Sequence, residues 1–140
     1  LVEEVLVELG HVAEQENLQV EVVAAVAGTI QGDRESLLIL LRNLLGNALR
    51  NTPSGGRIAV SINSSPASTE LCIENTCEPM DEAEVARLDE RFYRRPGNSY
   101  QGAGLGLSIV SRVAQLHRAR LKYSYLEAQQ VFRVQLWFNQ

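Results

Sequence analysis

Hydrophobic residues along this chain keep two rhythms. Val2, Val5, Leu6, Leu9, Val12 and Ala13 recur at three- and four-residue intervals, which predicts an amphipathic helix over residues 2–16, ended by Asn17. The longest stretch of this kind runs from Asp33 to Asn51. Leu37, Leu41, Leu44, Leu45 and Ala48 form its apolar stripe, Asp33 can cap its start, and Pro53 with Gly55 and Gly56 ends it. A short helix is expected over 81–89 with Asp81 as its cap, and another opens in the glycine-containing run 102–107 and continues to about His117. Elsewhere apolar and polar residues alternate. Residues 18–22, 57–62, 70–74, 121–125 and 131–138 read as strands, and 29–32 as a short strand ahead of the central helix. Residues 63–68 read as a hairpin turn. This order predicts an α/β fold, a two-layer α/β sandwich: a mixed sheet of about five or more strands with about three helices packed on one face.

Composition narrows the class. A chain of 140 residues with 45% apolar content fits one globular domain, residues 1–140, large enough to bury a core without staples. No run is long enough to span a membrane as a helix, and no signal peptide is present. The start at Leu1 rather than Met leads us to expect a fragment of a longer protein. A net charge of −4 gives no support for nucleic-acid binding, although Arg91, Arg94 and Arg95 form a local exception. Cys72 and Cys77 lie too far from any histidine pair for a zinc site and read as buried, reduced thiols of a cytosolic protein.

Three polar residues break the central apolar helix. Asn43 and Asn47 stand one turn apart, Arg50 follows three residues later, and all three share one side. A magnesium-bound triphosphate would satisfy them, an amide oxygen serving the metal and the guanidinium serving phosphate oxygens. The alternative is that both asparagines bond to neighbouring backbone. Gly102, Gly104 and Gly106 precede a helix and can bring backbone N–H groups close to phosphate, although a tight turn before a packed helix also wants glycine. Their spacing is neither the dinucleotide fingerprint nor the G-x-x-x-x-G-K-[ST] loop. Ahead of them, Arg91-Phe92-Tyr93-Arg94-Arg95 is either a solvated basic patch pinned by Phe92 or the base of a lid over 96–101.

Taken together these pieces resemble the catalytic, ATP-binding domain of bacterial sensor histidine kinases, a branch of the ATPase superfamily shared with gyrase, the Hsp90 chaperones and the MutL proteins. Residues 43–53 look like the N box, 90–94 like the F box and 102–107 like the second glycine box. The resemblance covers nearly the whole chain. It implies ATP and Mg²⁺ as ligands, with Asn47 on the metal and Asn43 and Arg50 near phosphates. It puts Tyr93 and Arg94 in the lid, and has Gly102, Gly104, Leu105, Gly106 and Leu107 cradle the phosphates. The hydrolysing relatives carry a Glu one turn before the metal-binding asparagine. Asn43 stands there in this chain and cannot act as a general base. The implied reaction is therefore phosphoryl transfer to a histidine on a separate dimerisation and phosphoacceptor domain, with a response regulator downstream. Neither His11 nor His117 has the context of that acceptor. The implied setting is the cytoplasmic side of a protein anchored in the bacterial inner membrane, without direct membrane contact by this domain and without nucleic acid.

Two departures fall on the side of the base. The family's first glycine box usually reads Asp-x-Gly-x-Gly, its Asp accepting from the adenine amino group. Here Asn75-Thr76-Cys77-Glu78-Pro79 stands instead, a form similar to that of metal-responsive sensor kinases. Asn51 occupies a position where many relatives place an aromatic against adenine. A neutral Asn75 able to rotate its amide would accept either purine, so a weakened preference for ATP over GTP is expected. Two further readings are a degenerate regulatory module that has lost catalysis and an anti-sigma-type serine kinase.

Overall fold

Asp33 starts the central helix as expected. Its carboxylate accepts the backbone N–H of Ser36 at 3.0 Å and the Ser36 hydroxyl at 2.6 Å, which satisfies one of the free donors of a helix start. The computed structural model describes residues 1–15, 17–25, 32–88 and 106–139. In chain order its elements are α1 (Val2–Gln15), β1 (Gln19–Ala25), α2 (Arg34–Asn51), β2 (Arg57–Ser64), β3 (Ser68–Thr76), α3 (Glu82–Arg87), α4 (Gly106–Leu116), β4 (Arg120–Leu126) and β5 (Val131–Asn139). The strand expected over 29–32 falls largely outside the described residues.

The strands form one mixed sheet in the order β1-β2-β3-β5-β4, parallel between β1 and β2 and antiparallel elsewhere. Strand alternation sends Ile58, Val60, Leu71, Ile73, Phe132, Val134, Leu136 and Phe138 into a core roofed by α1, α2 and α4. The opposite face stays polar. There Arg133 pairs with Glu74, Arg57 with Glu21, and Trp137 donates from Nε1 to Glu70 at 3.1 Å while Arg120 lies 4.3 Å over its ring. A sheet with one apolar and one polar face needs a single helical layer, and the two-layer sandwich follows.

Helix α2 lies at the centre of that layer and is apolar around most of its circumference. Leu37, Leu38, Leu40, Leu41, Leu44, Leu45, Ala48 and Leu49 are all buried. Arg34 with Glu4 and Arg42 with Glu8 connect it to α1 at the surface. Its end is fixed locally. The Thr52 hydroxyl donates back to the Ala48 carbonyl at 2.5 Å, and Gly55 takes φ +85°, which suits glycine. The carbonyl of Gly56 then accepts the N–H of Gln19, joining this turn to the start of β1. Two other helix ends share one design. Asn17 and Arg118 both adopt φ +55°, and the residue after each donates to a carbonyl in the last turn (Leu18 to Ala13, Ala119 to Ala114, both 2.9 Å).

Candidate functional site

The polar side of α2 carries an asparagine ladder. Asn43, Asn47 and Asn51 are spaced four apart and therefore stack along one face of the helix, all partly exposed. The two outer members bond backward to the helix itself. Asn43 Nδ2 donates to the Ile39 carbonyl at 2.7 Å, and Asn51 Nδ2 donates to the Asn47 carbonyl at 2.8 Å. The middle member does not. Asn47 uses its Oδ1 to accept a second bond from Asn51 Nδ2 at 3.1 Å. Backbone bonding, the alternative left open by the sequence, thus describes Asn43 and not Asn47.

Arg50 belongs to the same side. Its guanidinium folds back across Gly46, where a methyl group would come within 3.0 Å of Nη1. A mid-helix glycine costs about 1 kcal/mol relative to alanine, and here the vacant space holds an arginine. This contribution of Gly46 was missed in the sequence, where the signal was a glycine inside a helical pattern with no turn to explain it. Across the groove stands Gly106, the first residue of α4. A methyl there would lie 3.4 Å from Asn43 Oδ1 and 3.6 Å from Arg50 Nη2. The start of α4 is thus set between Asn43 and Arg50.

Among the described residues that meet at this junction, the charge is positive. The first turn of α4 contains no acidic residue, so the partial positive charge of the helix start meets no carboxylate from that turn. Arg50 adds a full positive charge. Such a junction suits an anion with several oxygens. Leu107, named with the glycines, is only 6% exposed and packs its side chain in the core, so its backbone is what it can offer a ligand. Tyr93, Arg94, Gly102, Gly104 and Leu105 lie outside the described residues.

Asn75 stands apart from this ladder, on the helix-facing side of the sheet. It occupies the same row as Ile58 and Phe132 and is 2% exposed. Its Nδ2 donates to the Thr76 carbonyl at 3.0 Å. A carbonyl only accepts, so rotating the amide would set oxygen against oxygen. The free rotation expected from the sequence is therefore opposed, and Oδ1 is the atom left to meet a ligand. Cys77 is buried, donates its N–H to the Gln130 carbonyl, and accepts the Tyr125 hydroxyl at its own carbonyl (3.2 Å). Both cysteines are buried, and burial, with Glu74 adding, lifts the Cys72 thiol above its ordinary range, which agrees with an inert, reduced Cys72.

Comparison with known proteins bears directly on this arrangement. The sensor protein QseC of Escherichia coli is 37% identical over 128 residues, which is 91% of this chain and 28% of that protein. The sensor protein BasS of Salmonella typhimurium is 41% identical over 91 residues, 65% of this chain and 25% of that protein. The chain thus spans about a quarter of the length of these curated relatives. Among solved structures, the mycobacterial sensor histidine kinase MprB superposes with a TM-score of 0.84 at 27% identity, covering 98% of this chain and 94% of that one. The family described as histidine kinase-, DNA gyrase B-, and HSP90-like ATPase matches residues 32–140, which contain α2, its asparagine ladder and α4, and the chain belongs to that family.

Proposed function

We propose that the chain is the ATP-binding catalytic unit of a bacterial two-component sensor histidine kinase. It takes the γ-phosphoryl of Mg-ATP to a histidine on a separate dimerisation and phosphoacceptor domain, from which a response regulator is charged downstream. The observation that carries this reading is the junction of α2 with α4, where Asn43, Arg50 and the first residue of α4 converge, with Asn47 one helical turn beyond Asn43 on the same face of α2. The parent protein is anchored in the inner membrane and keeps this unit in the cytoplasm. Among the described residues no helix is long and apolar enough to cross a membrane.

The residues present fit a magnesium ion. Asn47 Oδ1 is a hard oxygen donor on a partly exposed side chain, and an amide oxygen with one bond accepted keeps a second lone pair. Mg²⁺ is commonly held by one or two protein oxygens, with substrate phosphates and water completing its shell. Held by Asn47, such an ion would supply positive charge against the triphosphate. Arg50 meets the remaining phosphate charge, and the N–H groups of α4 add donors that need no reorganisation. Asn43 holds the place one turn before Asn47 with an amide, which cannot take a proton from water. These residues therefore bind and orient the triphosphate without activating a water against it.

The accepting histidine belongs to another domain. His11 is exposed and bonded to Gln15 at 3.1 Å. His117 is held between the backbone of Asp33 and Val113, away from the junction. A degenerate regulatory module is the second reading, favoured by one observation: the Asn75 amide bonds to its own neighbour within a row of apolar side chains. Calorimetric titration with ATP and Mg²⁺ separates the two. Metal-dependent binding that drops about tenfold or more in Asn47→Ala supports the kinase reading. A supplied phosphoacceptor domain then becomes labelled on histidine. A folded domain that takes up no nucleotide refutes it.

A further inference from the structure

The asparagine ladder contains a fixed order of donors and acceptors. The Asn47 carbonyl can only accept, so Asn51 must turn its Nδ2 toward the helix, as the 2.8 Å bond shows. That same Nδ2 faces the Asn47 side chain at 3.1 Å. An Asn47 amide turned the other way would set NH₂ against NH₂. The backbone thus orients Asn51, and Asn51 orients Asn47. Asn43 shows what happens without such a partner: its own amide bonds back to the Ile39 carbonyl. The same backward bond at Asn47 would tie its nitrogen to the helix and leave which atom meets a ligand to the ligand alone.

We infer that Asn51 is a positioning residue for metal binding: it holds the Asn47 carboxamide with its oxygen defined and its second lone pair available to a divalent cation carried by a nucleotide. This inference rests on the role given above to Asn47. It concerns a residue that touches its neighbour's side chain rather than the metal. Partners of this kind fix the direction and basicity of a ligand atom, and removing one typically costs about 10–100-fold in metal affinity. Asn51 shares its donor between two acceptors, so the lower end of that range applies.

The test measures ATP affinity by calorimetry with Mg²⁺ and with a chelator, and takes the ratio of the two in the wild-type chain, Asn51→Ala and Asn47→Ala. Alanine is a good helix former, and circular dichroism checks that each variant folds. The expected result is a ratio reduced about tenfold in Asn51→Ala and at least as far in Asn47→Ala, with the double variant no worse than Asn47→Ala alone. A ratio lost in Asn47→Ala but kept in Asn51→Ala overturns the positioning role and leaves the proposed function standing. Equal falls in both affinities of Asn51→Ala leave the ratio intact and overturn it likewise. A ratio unchanged in Asn47→Ala, or no metal dependence in the wild-type chain, overturns the function reading and this inference with it.

Discussion

The imidazole of His117 accepts the backbone N–H of Asp33 at 3.1 Å, across 84 residues of sequence. Its other nitrogen donates to the Val113 carbonyl at 2.9 Å, so the ring is a neutral tautomer protonated at Nδ1. This bond ties the end of α4 to the start of α2, the two helices whose other ends form the candidate site. The fit is close, since a methyl on Gly32 would come within 2.8 Å of the ring. His117→Ala should therefore cost about 0.5–1.5 kcal/mol, the net contribution of a hydrogen bond whose exposed donor water can reach in the variant. Urea unfolding measures it, and a cost below about 0.5 kcal/mol, the scatter of surface changes, would contradict the tie.

Asp33 gives the same junction a pH dependence. The Ser36 hydroxyl, then the Ser36 N–H, hold its carboxyl below the ordinary carboxylate range. A value depressed in the folded state adds stability above the unfolded value, and this is lost as pH falls through the folded one. Asn also caps helices but carries no such charge. The stability gap between wild type and Asp33→Asn should therefore narrow from neutral pH to about pH 3. Urea midpoints at both pH values check this, and a constant gap would exclude the contribution.

Gly46 separates folding from binding. Gly46→Ala removes the glycine penalty and should raise stability by up to about 1 kcal/mol. The added methyl meets the far end of the Arg50 side chain, which moves aside easily. Nucleotide affinity should then fall while the melting temperature rises. Thermal melts with calorimetry on the same samples test the pair of signs, and an affinity unchanged in the stabilised variant would mean that the position of Arg50 is immaterial.

Asn75 bears on base selection. With its nitrogen held toward the Thr76 carbonyl, it keeps its oxygen in a fixed direction as the acceptor, where an aspartate would also present one. Preference for ATP over GTP should accordingly match that of Asn75→Asp, instead of being weaker as free rotation would allow. The variant should also lose about 1–3 kcal/mol of stability, because a carboxylate cannot donate to Thr76. Competition binding with both nucleotides decides this, and a wild type that takes GTP as tightly as ATP would show that the amide turns.

Legibility in the sequence followed the range of the forces involved. Asp33 and Asp81 were readable as caps because capping acts over three residues, and both side chains do accept from the N–H three positions on. The ends of α2 and the alternation in β5 were legible for the same reason. Asn43, Asn47 and Arg50 were readable as a group because helix periodicity alone puts them together. Nothing local showed that Gly106 would arrive between Asn43 and Arg50, or that His117 would meet Asp33. Those contacts exist only once the sheet has set α4 beside α2. The link from Asn51 to Asn47 is local, yet its meaning depends on which amide atom faces which, and side-chain identity alone does not state that.

Trp137 is the only tryptophan of the chain, and it lies on the polar face of the sheet beneath Arg120. The whole thickness of the sheet separates it from the asparagine ladder. Its fluorescence is therefore a built-in optical gauge of unfolding that stays quiet when a ligand settles on α2, so folding and occupancy can be followed as two independent signals in one cuvette.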